Sequence, residues 1–248
     1  MSLQTTQEIL DQETMVPTEI VHLVQSGKRA LENGDLDKAL DLFEAVISQY
    51  PDRPEGYNNL GALHTSLGLF QKAEACFGKV LELLPGNCNV HYNRGVVRIR
   101  LQKFEEAIAD FNVVLAVHLD DADCWNNLGV AYFLKQDFPT ARSHFEHALS
   151  LVPNFPNALL NLCDSDLAEG NQDHAITSCV EYLTRYTDNE VRQKLLELLH
   201  NESRDLVSRA CKVAEDLLAA ECKDPFTLQI HHQLQQAHAI LTKELELP

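Results

Sequence analysis

Helix-breaking residues are scarce in this 248-residue chain: it holds 9 prolines and 10 glycines, and they fall at regular places. Long apolar runs are missing. None approaches the roughly 20 residues that span a bilayer, so membrane insertion is not expected. Basic residues are also few, 20 Lys and Arg against 37 Asp and Glu, for a formal net charge of −17. Such a surface repels nucleic-acid phosphates and anionic lipid, so no nucleic-acid partner is expected. The acid is spread along the chain without forming a tail. It suits solubility or a preference for basic partners. Residues 1–27 contain no Lys or Arg and carry Glu8, Asp11, Glu13 and Glu19, so a secretory signal is not expected. The seven cysteines are odd in number and form no Cys-x-x-Cys pair. They are read as reduced thiols of a cytoplasmic protein. The chain has no phosphate-cradling glycine loop, nucleophile elbow or zinc signature. His144 and His147 share a helical face, as do His231 and His238, without the further ligand a metal site needs. No catalytic residue, metal ligand or cofactor is assigned.

What is present is a frame of 34 residues, repeated without insertion from Ile20, Pro54, Cys88, Ala122 and Pro156. The eighth position holds Gly27, Gly61, Gly95, Gly129 and then Cys163. The twentieth is alanine in all five frames: Ala39, Ala73, Ala107, Ala141 and Ala175. The twenty-fourth holds Phe43, Phe77, Phe111, Phe145 and then Cys179, and the thirty-second Pro51, Pro85, Leu119, Pro153 and Thr187. A strict 34-residue period indicates a solenoid of helix pairs. In the fourth frame Trp125, Leu128, Gly129 and Tyr132 fall on one face of a first helix. Ala141, Phe145 and Ala148 form the facing stripe of a second. Gly and Ala let the backbones approach, and aromatics fill the volume beside them. Asn33-Gly34 and Leu67-Gly68 are expected to turn the chain between helices. Pro51, Pro85 and Pro153 are expected to stop the second helix.

Trp125-x-x-Leu128-Gly129-x-x-Tyr132, followed by Ala141, Phe145, Ala148 and Pro153, resembles the tetratricopeptide repeat. Five such repeats cover about two thirds of the chain. The resemblance implies an all-α, right-handed superhelical solenoid of antiparallel helix pairs. The third repeat departs from the pattern, with His91, Arg94 and Arg98 where the fourth has Trp, Leu and Tyr. Those three side chains form either a small anion site or pairs with an acid such as Glu105 or Asp110. The fifth repeat departs at Cys163 and Cys179. The expected organisation is a flexible arm over 1–17, five repeats over 18–187, and a degenerate sixth pair with a closing helix over 188–248. Thr187-Asp188 is placed to cap a helix carrying Val191, Leu195, Leu196 and Leu199. Asp224-Pro225 is placed to start the last helix.

Asparagine marks the candidate site. Asn59, Asn93, Asn127 and Asn161 are spaced 34, 34 and 34 apart, at the sixth position. That position lies opposite the core face, a side that lines the concave groove in tetratricopeptide proteins. Asn58 and Asn126 sit beside the row, and Asn89 and Asn157 add to it. Lys28, Arg100, Glu55, Asp123 and Asp164 supply mixed charge; Phe133 and Leu134 supply apolar contact. Asparagine costs roughly 0.5 kcal/mol against alanine within a helix, so four cost on the order of 2 kcal/mol. A side-chain amide both donates and accepts, so a regular row suits the backbone of an extended peptide. The superhelical transferase that attaches N-acetylglucosamine to proteins has a similar ladder; its catalytic region has no counterpart here. The other reading is that each asparagine bonds to a neighbouring helix. The chaperone-tail clamp found in some relatives is matched only at Asn59; Val24, Lys28, Asn89 and Asn93 depart from it.

These features favour a non-catalytic adaptor or scaffold that binds a protein or peptide partner in its groove. The alternatives are a module that recruits or regulates a separately encoded transferase, and a homo-oligomer formed through the C-terminal helices.

Overall fold

The computed structural model describes residues 16–200, with the side chains of 199 and 200 outside the description. The expectations for residues 1–15 and 201–248, including the arm, the closing helix and self-assembly through it, lie outside the described residues. The chain divides into two compact units, Met1–Val117 and His118–Pro248. Among the described residues all regular structure is α-helical.

The first unit holds α1 (Thr18–Glu32), α2 (Leu36–Gln49), α3 (Pro54–Ser66), α4 (Phe70–Leu83), α5 (Cys88–Arg100) and α6 (Phe104–Leu115). The second holds α7 (Ala122–Leu134), α8 (Phe138–Leu151), α9 (Pro156–Ala168), α10 (Gln172–Arg185) and α11 (Asn189–His200). Each odd-numbered helix up to α9 packs on the even one that follows it.

Four of the five first helices begin at the frame's first position, and two local devices start them. Proline opens α3 and α9, where its missing N–H would have no helical partner. Asn87 and Asp121 cap α5 and α7 instead, accepting from the N–H of Val90 at 3.2 Å and of Cys124 at 2.9 Å. Asp35 and Asp137 cap α2 and α8 in the same way.

The core follows the frame. All five alanines at the twentieth position are fully buried, and so are Phe43, Phe77, Phe111 and Phe145. The glycine at the eighth position exists for that phenylalanine. A Cβ on Gly27, Gly61, Gly95 or Gly129 would lie 2.5, 2.8, 2.7 or 2.5 Å from the ring of its own repeat. Glycine and ring are one steric unit. In the fifth repeat both members change together, to the buried pair Cys163 and Cys179.

The turn between the two helices of a pair uses one backbone device five times. Residues 34, 68, 102, 136 and 170 all have positive φ, at 76°, 72°, 59°, 65° and 77°. Gly34, Gly68 and Gly170 suit this left-handed slot; Gln102 and Gln136 occupy it despite their Cβ. The glutamines carried no sequence signal for a turn.

Proline follows α2, α4 and α8 two residues after the last helical residue. The third frame has Leu119 in place of proline, yet α6 ends earlier, at Leu115. Proline is therefore not what limits that helix. The segment after it is exposed, with Val117 at 64% and Leu119 at 69%.

Helix α11 opens on Asp188, whose Oδ1 accepts from the N–H of Glu190 and Val191, both at 2.9 Å. Its buried stripe is Val191, Leu195 and Leu198. Leu196, expected on that stripe, is 44% exposed. The correct stripe steps by four and then three residues, and Leu196 falls about 100° off it.

Candidate functional site

Each unit carries part of the asparagine row. In the first unit α3 lies beside α1, and α5 beside α3. Asn93 on α5 is exposed, and its side chain makes no hydrogen bond to another described residue. Asn89 and Arg100 are exposed on the same helix. Residues 89, 93 and 100 fall within about 40° of one another around the axis, so they form one stripe. The Arg100 guanidinium lies over the Phe70 ring, 4.8 Å from its centroid, which holds the cation in place. On α3, Asn58 and Asn59 are half-buried. Asn59 is turned back on its own helix: its Nδ2 donates to the Glu55 carbonyl at 2.7 Å. Lys28 is exposed on α1, on a stripe with Val21 and Gln25.

The second unit uses its asparagines differently. Asn161 Nδ2 donates to Asn126 Oδ1 at 2.9 Å, joining α9 to α7. Asn126 is 8% exposed, so this bond satisfies an otherwise buried acceptor. Asn127 is half-buried and engaged within the protein. Asp164 on α9 is held by Lys194 of α11, Nζ to Oδ1 at 2.6 Å. Burial alone would lower the Lys194 pKa, but the Asp164 hydrogen bond and charge outweigh it and raise it. Phe133 packs on Phe138, with ring centroids 5.4 Å apart. The row of four identical residues is thus chemically mixed.

The basic cluster of the third repeat is committed to a carboxylate. Asp110, with a side chain 2% exposed, accepts from Arg94 Nε at 3.0 Å and Nη2 at 2.7 Å, and from Arg98 Nη1 at 2.7 Å. His91 Nδ1 lies 2.7 Å from the same carboxylate, and its Nε2 lies 2.9 Å from the Pro85 carbonyl. The cluster is therefore an internal ion network, as the pairing reading had it, and its cations do not face an outside anion. The second acid bonded to it is Glu74, which accepts from Arg98 Nε at 3.1 Å and Lys103 Nζ at 2.6 Å. Burial would raise the Glu74 pKa, but those two hydrogen bonds prevail and lower it.

A second network occupies equivalent positions in the other unit with the charges exchanged. Fully buried Asp166 on α9 accepts from Arg142 on α8 and lies 2.6 Å from His174 Nδ1. Glu74 and Arg142 both stand at the twenty-first position of their frames, and Arg98 and Asp166 both at the eleventh of the next. The helix junction α4–α5 is thus written acid to base, and α8–α9 base to acid. Detecting this from sequence would have required pairing residues 24 apart.

Trp125, half-buried on α7, donates from Nε1 to the Leu119 carbonyl at 2.9 Å. His147 lies edge-on to it at 4.5 Å, and His144 is tilted at 5.4 Å. Burial and then His147 lower the His144 pKa, against a smaller opposing pull from Asp137. Among the described residues no group of three His, Cys, Asp or Glu is arranged for a metal, and no helix is long and apolar enough to cross a membrane.

Comparison with known proteins agrees with this geometry. The family model for the tetratricopeptide repeat matches residues 54–87 and 122–155, and a second model of that repeat matches 24–53. These are the first, second and fourth frames; the third and fifth, which carry the charge cluster and the cysteine pair, depart furthest. The BBSome complex member BBS4 of Bos taurus is 38% identical over 50 residues, which make up 20% of this chain and 10% of that protein. Among solved structures, MamA from Desulfovibrio magneticus RS-1 superposes with a TM-score of 0.62 at 21% identity, covering 76% of this chain and 99% of that one. A tetratricopeptide repeat protein from Parabacteroides merdae gives 0.63 at 17% identity, covering 89% and 99%. The helix pairs, the 34-residue frame, the glycine–phenylalanine units and these matches together identify residues 24–87 and 122–155 as tetratricopeptide repeats.

Proposed function

We propose that this protein is a non-catalytic interaction adaptor, and that an extended segment of a partner protein binds the asparagine-bearing face of its first unit. The observation that carries this reading is the α5 stripe. Asn93 and Asn89 are exposed amides, and the Asn93 side chain has no hydrogen bond to another described residue. In a helix such residues are unfavourable against alanine, and no internal bond accounts for Asn93. Each amide pairs with one N–H and one C=O of an extended backbone. Arg100 at one end of the stripe and Lys28 on α1 favour a segment with a carboxylate side chain. The second unit contributes less to this chemistry, because Asn161 and Asn126 satisfy one another.

Peptides selected from a displayed library on the full chain test the reading. Their affinity for the native protein is compared with that for Asn93→Ala and for Asn89→Ala/Asn93→Ala, all shown to be folded by circular dichroism. Two amide contacts at about 1 kcal/mol each give a loss of roughly tenfold or more. Undiminished binding in both variants refutes the assignment of the face.

A further inference from the structure

We propose that Cys163 on α9 and Cys179 on α10 are a thiol–disulfide exchange site that closes to a covalent cross-link between the two helices. The two Sγ atoms lie 3.3 Å apart, and both residues are fully buried. They occupy the positions held in the four other frames by the glycine and the phenylalanine in steric contact. Replacing Phe alone would leave a void, and replacing Gly alone would drive a side chain into the ring. The joint replacement puts one sulfur on each helix, facing across the closest approach of the pair. A disulfide requires about 2.05 Å between sulfurs, so closing the 3.3 Å gap moves each atom by roughly 0.6 Å. The Cys163 thiol also lies 3.6 Å from the Ala175 carbonyl, which places it beside the partner helix.

The reaction needs a small-molecule disulfide such as oxidised glutathione. One thiol loses its proton and attacks that disulfide, forming a mixed disulfide and expelling one glutathione thiolate. The second protein thiolate then attacks the protein sulfur of the mixed disulfide and expels the second glutathione. The protein loses two protons and two electrons, and the oxidant is reduced to two thiols. The hydrogen bond with Cys163 and then burial raise the Cys179 pKa well above that of a free thiol. The closed core therefore holds little thiolate, and exchange passes through local opening of α9 from α10. Around the pair stand Leu159, Ile176, Val180 and Leu183, with no competing thiol in that cluster.

The full-length reduced chain is incubated in a glutathione redox buffer, with and without urea below the unfolding transition, then alkylated. A glutamate-specific protease cuts after Glu169, which lies between the two cysteines. The expected result is a disulfide-linked peptide pair containing Cys163 and Cys179. It forms faster with urea, is reversed by dithiothreitol, and is accompanied by a raised melting midpoint. The Cys163→Gly/Cys179→Phe variant, which restores the glycine–phenylalanine unit, shows neither the link nor the shift. Separate alkylated peptides, or glutathione on either cysteine without a link, overturn the proposal, as does a linked product that melts lower than the reduced chain.

Discussion

Substituting Gly129 by alanine tests whether the glycine–phenylalanine unit sets the closest approach of each helix pair. In an unobstructed helix the change is stabilising by about 1 kcal/mol, since alanine is the better helix former. Here the new Cβ would lie 2.5 Å from Phe145 Cε1 and 2.7 Å from Cδ1. Phe145 is fully buried, so its ring has nowhere to retreat. Overpacking of this kind costs about 3 kcal/mol at the upper end of its usual range. The net expectation is a loss of about 2 kcal/mol. With a urea dependence of about 2 kcal/mol per molar, the midpoint falls by about 1 M. Trp125 is the sole tryptophan and sits on the same helix, one turn away, so its fluorescence reports this pair directly. Phe145→Leu should cost about 1–2 kcal/mol alone. The double variant should cost clearly less than the sum, because the alanine methyl enters volume the ring has left. Gly78 in α4 is the control: a Cβ there meets nothing within 4 Å, so Gly78→Ala should gain about 1 kcal/mol. Additivity of the Gly129 and Phe145 changes within about 0.5 kcal/mol refutes the steric account. So does a stabilised Gly129→Ala.

Asp110→Asn removes the charge that neutralises Arg94 and Arg98 in a site 2% exposed, and urea denaturation should show a loss of about 3–5 kcal/mol. Gln136 holds φ of 65°, so thermal melts should show Gln136→Gly gaining about 0.5 kcal/mol and Gln136→Val losing at least about 1 kcal/mol. His64 is 7% exposed, and its pKa is lowered by burial and then by Lys72, against Glu44. The folded form therefore resists protonation while the unfolded chain accepts a proton near its ordinary value of 6.5. Stability should fall as pH drops below about 6.5. His64→Leu should weaken that dependence, as midpoints measured across this range will show.

The frame made most of the architecture legible. Gly129, Ala141 and Phe145 name their own contacts because a 34-residue period repeats the same close approach. Legibility ends where different residues meet one geometric demand. The left-handed slot filled by Gly34 and Gly68 gave a turn signal; the same slot filled by Gln102 and Gln136 gave none. The asparagine row looked uniform, yet Asn59 bonds backward, Asn161 bonds sideways and Asn93 is exposed without such a bond. Identity at one position fixes where a side chain starts, whereas its partner is set by the residue across the junction: Asn126 is buried beside Asn161. Asp110 was an anticipated partner of the basic cluster, but Glu74 was not, because it reaches Arg98 from the preceding repeat.

The two exchanged ion junctions constrain how such a gene can change length. Unequal recombination between similar 34-residue segments readily removes or adds whole repeats, and most of the core would accept this, since every segment offers the same alanine. Loss of the third and fourth segments, however, would set Glu74 against Asp166, two carboxylates in a dry contact. Copying the third segment behind the fourth would set Arg142 against Arg98. Either product sets like charges together at its new seam and leaves Glu74 or Arg142 without its partner from the next segment. The order of these segments is thus guarded by charge, while the frame itself is indifferent to it.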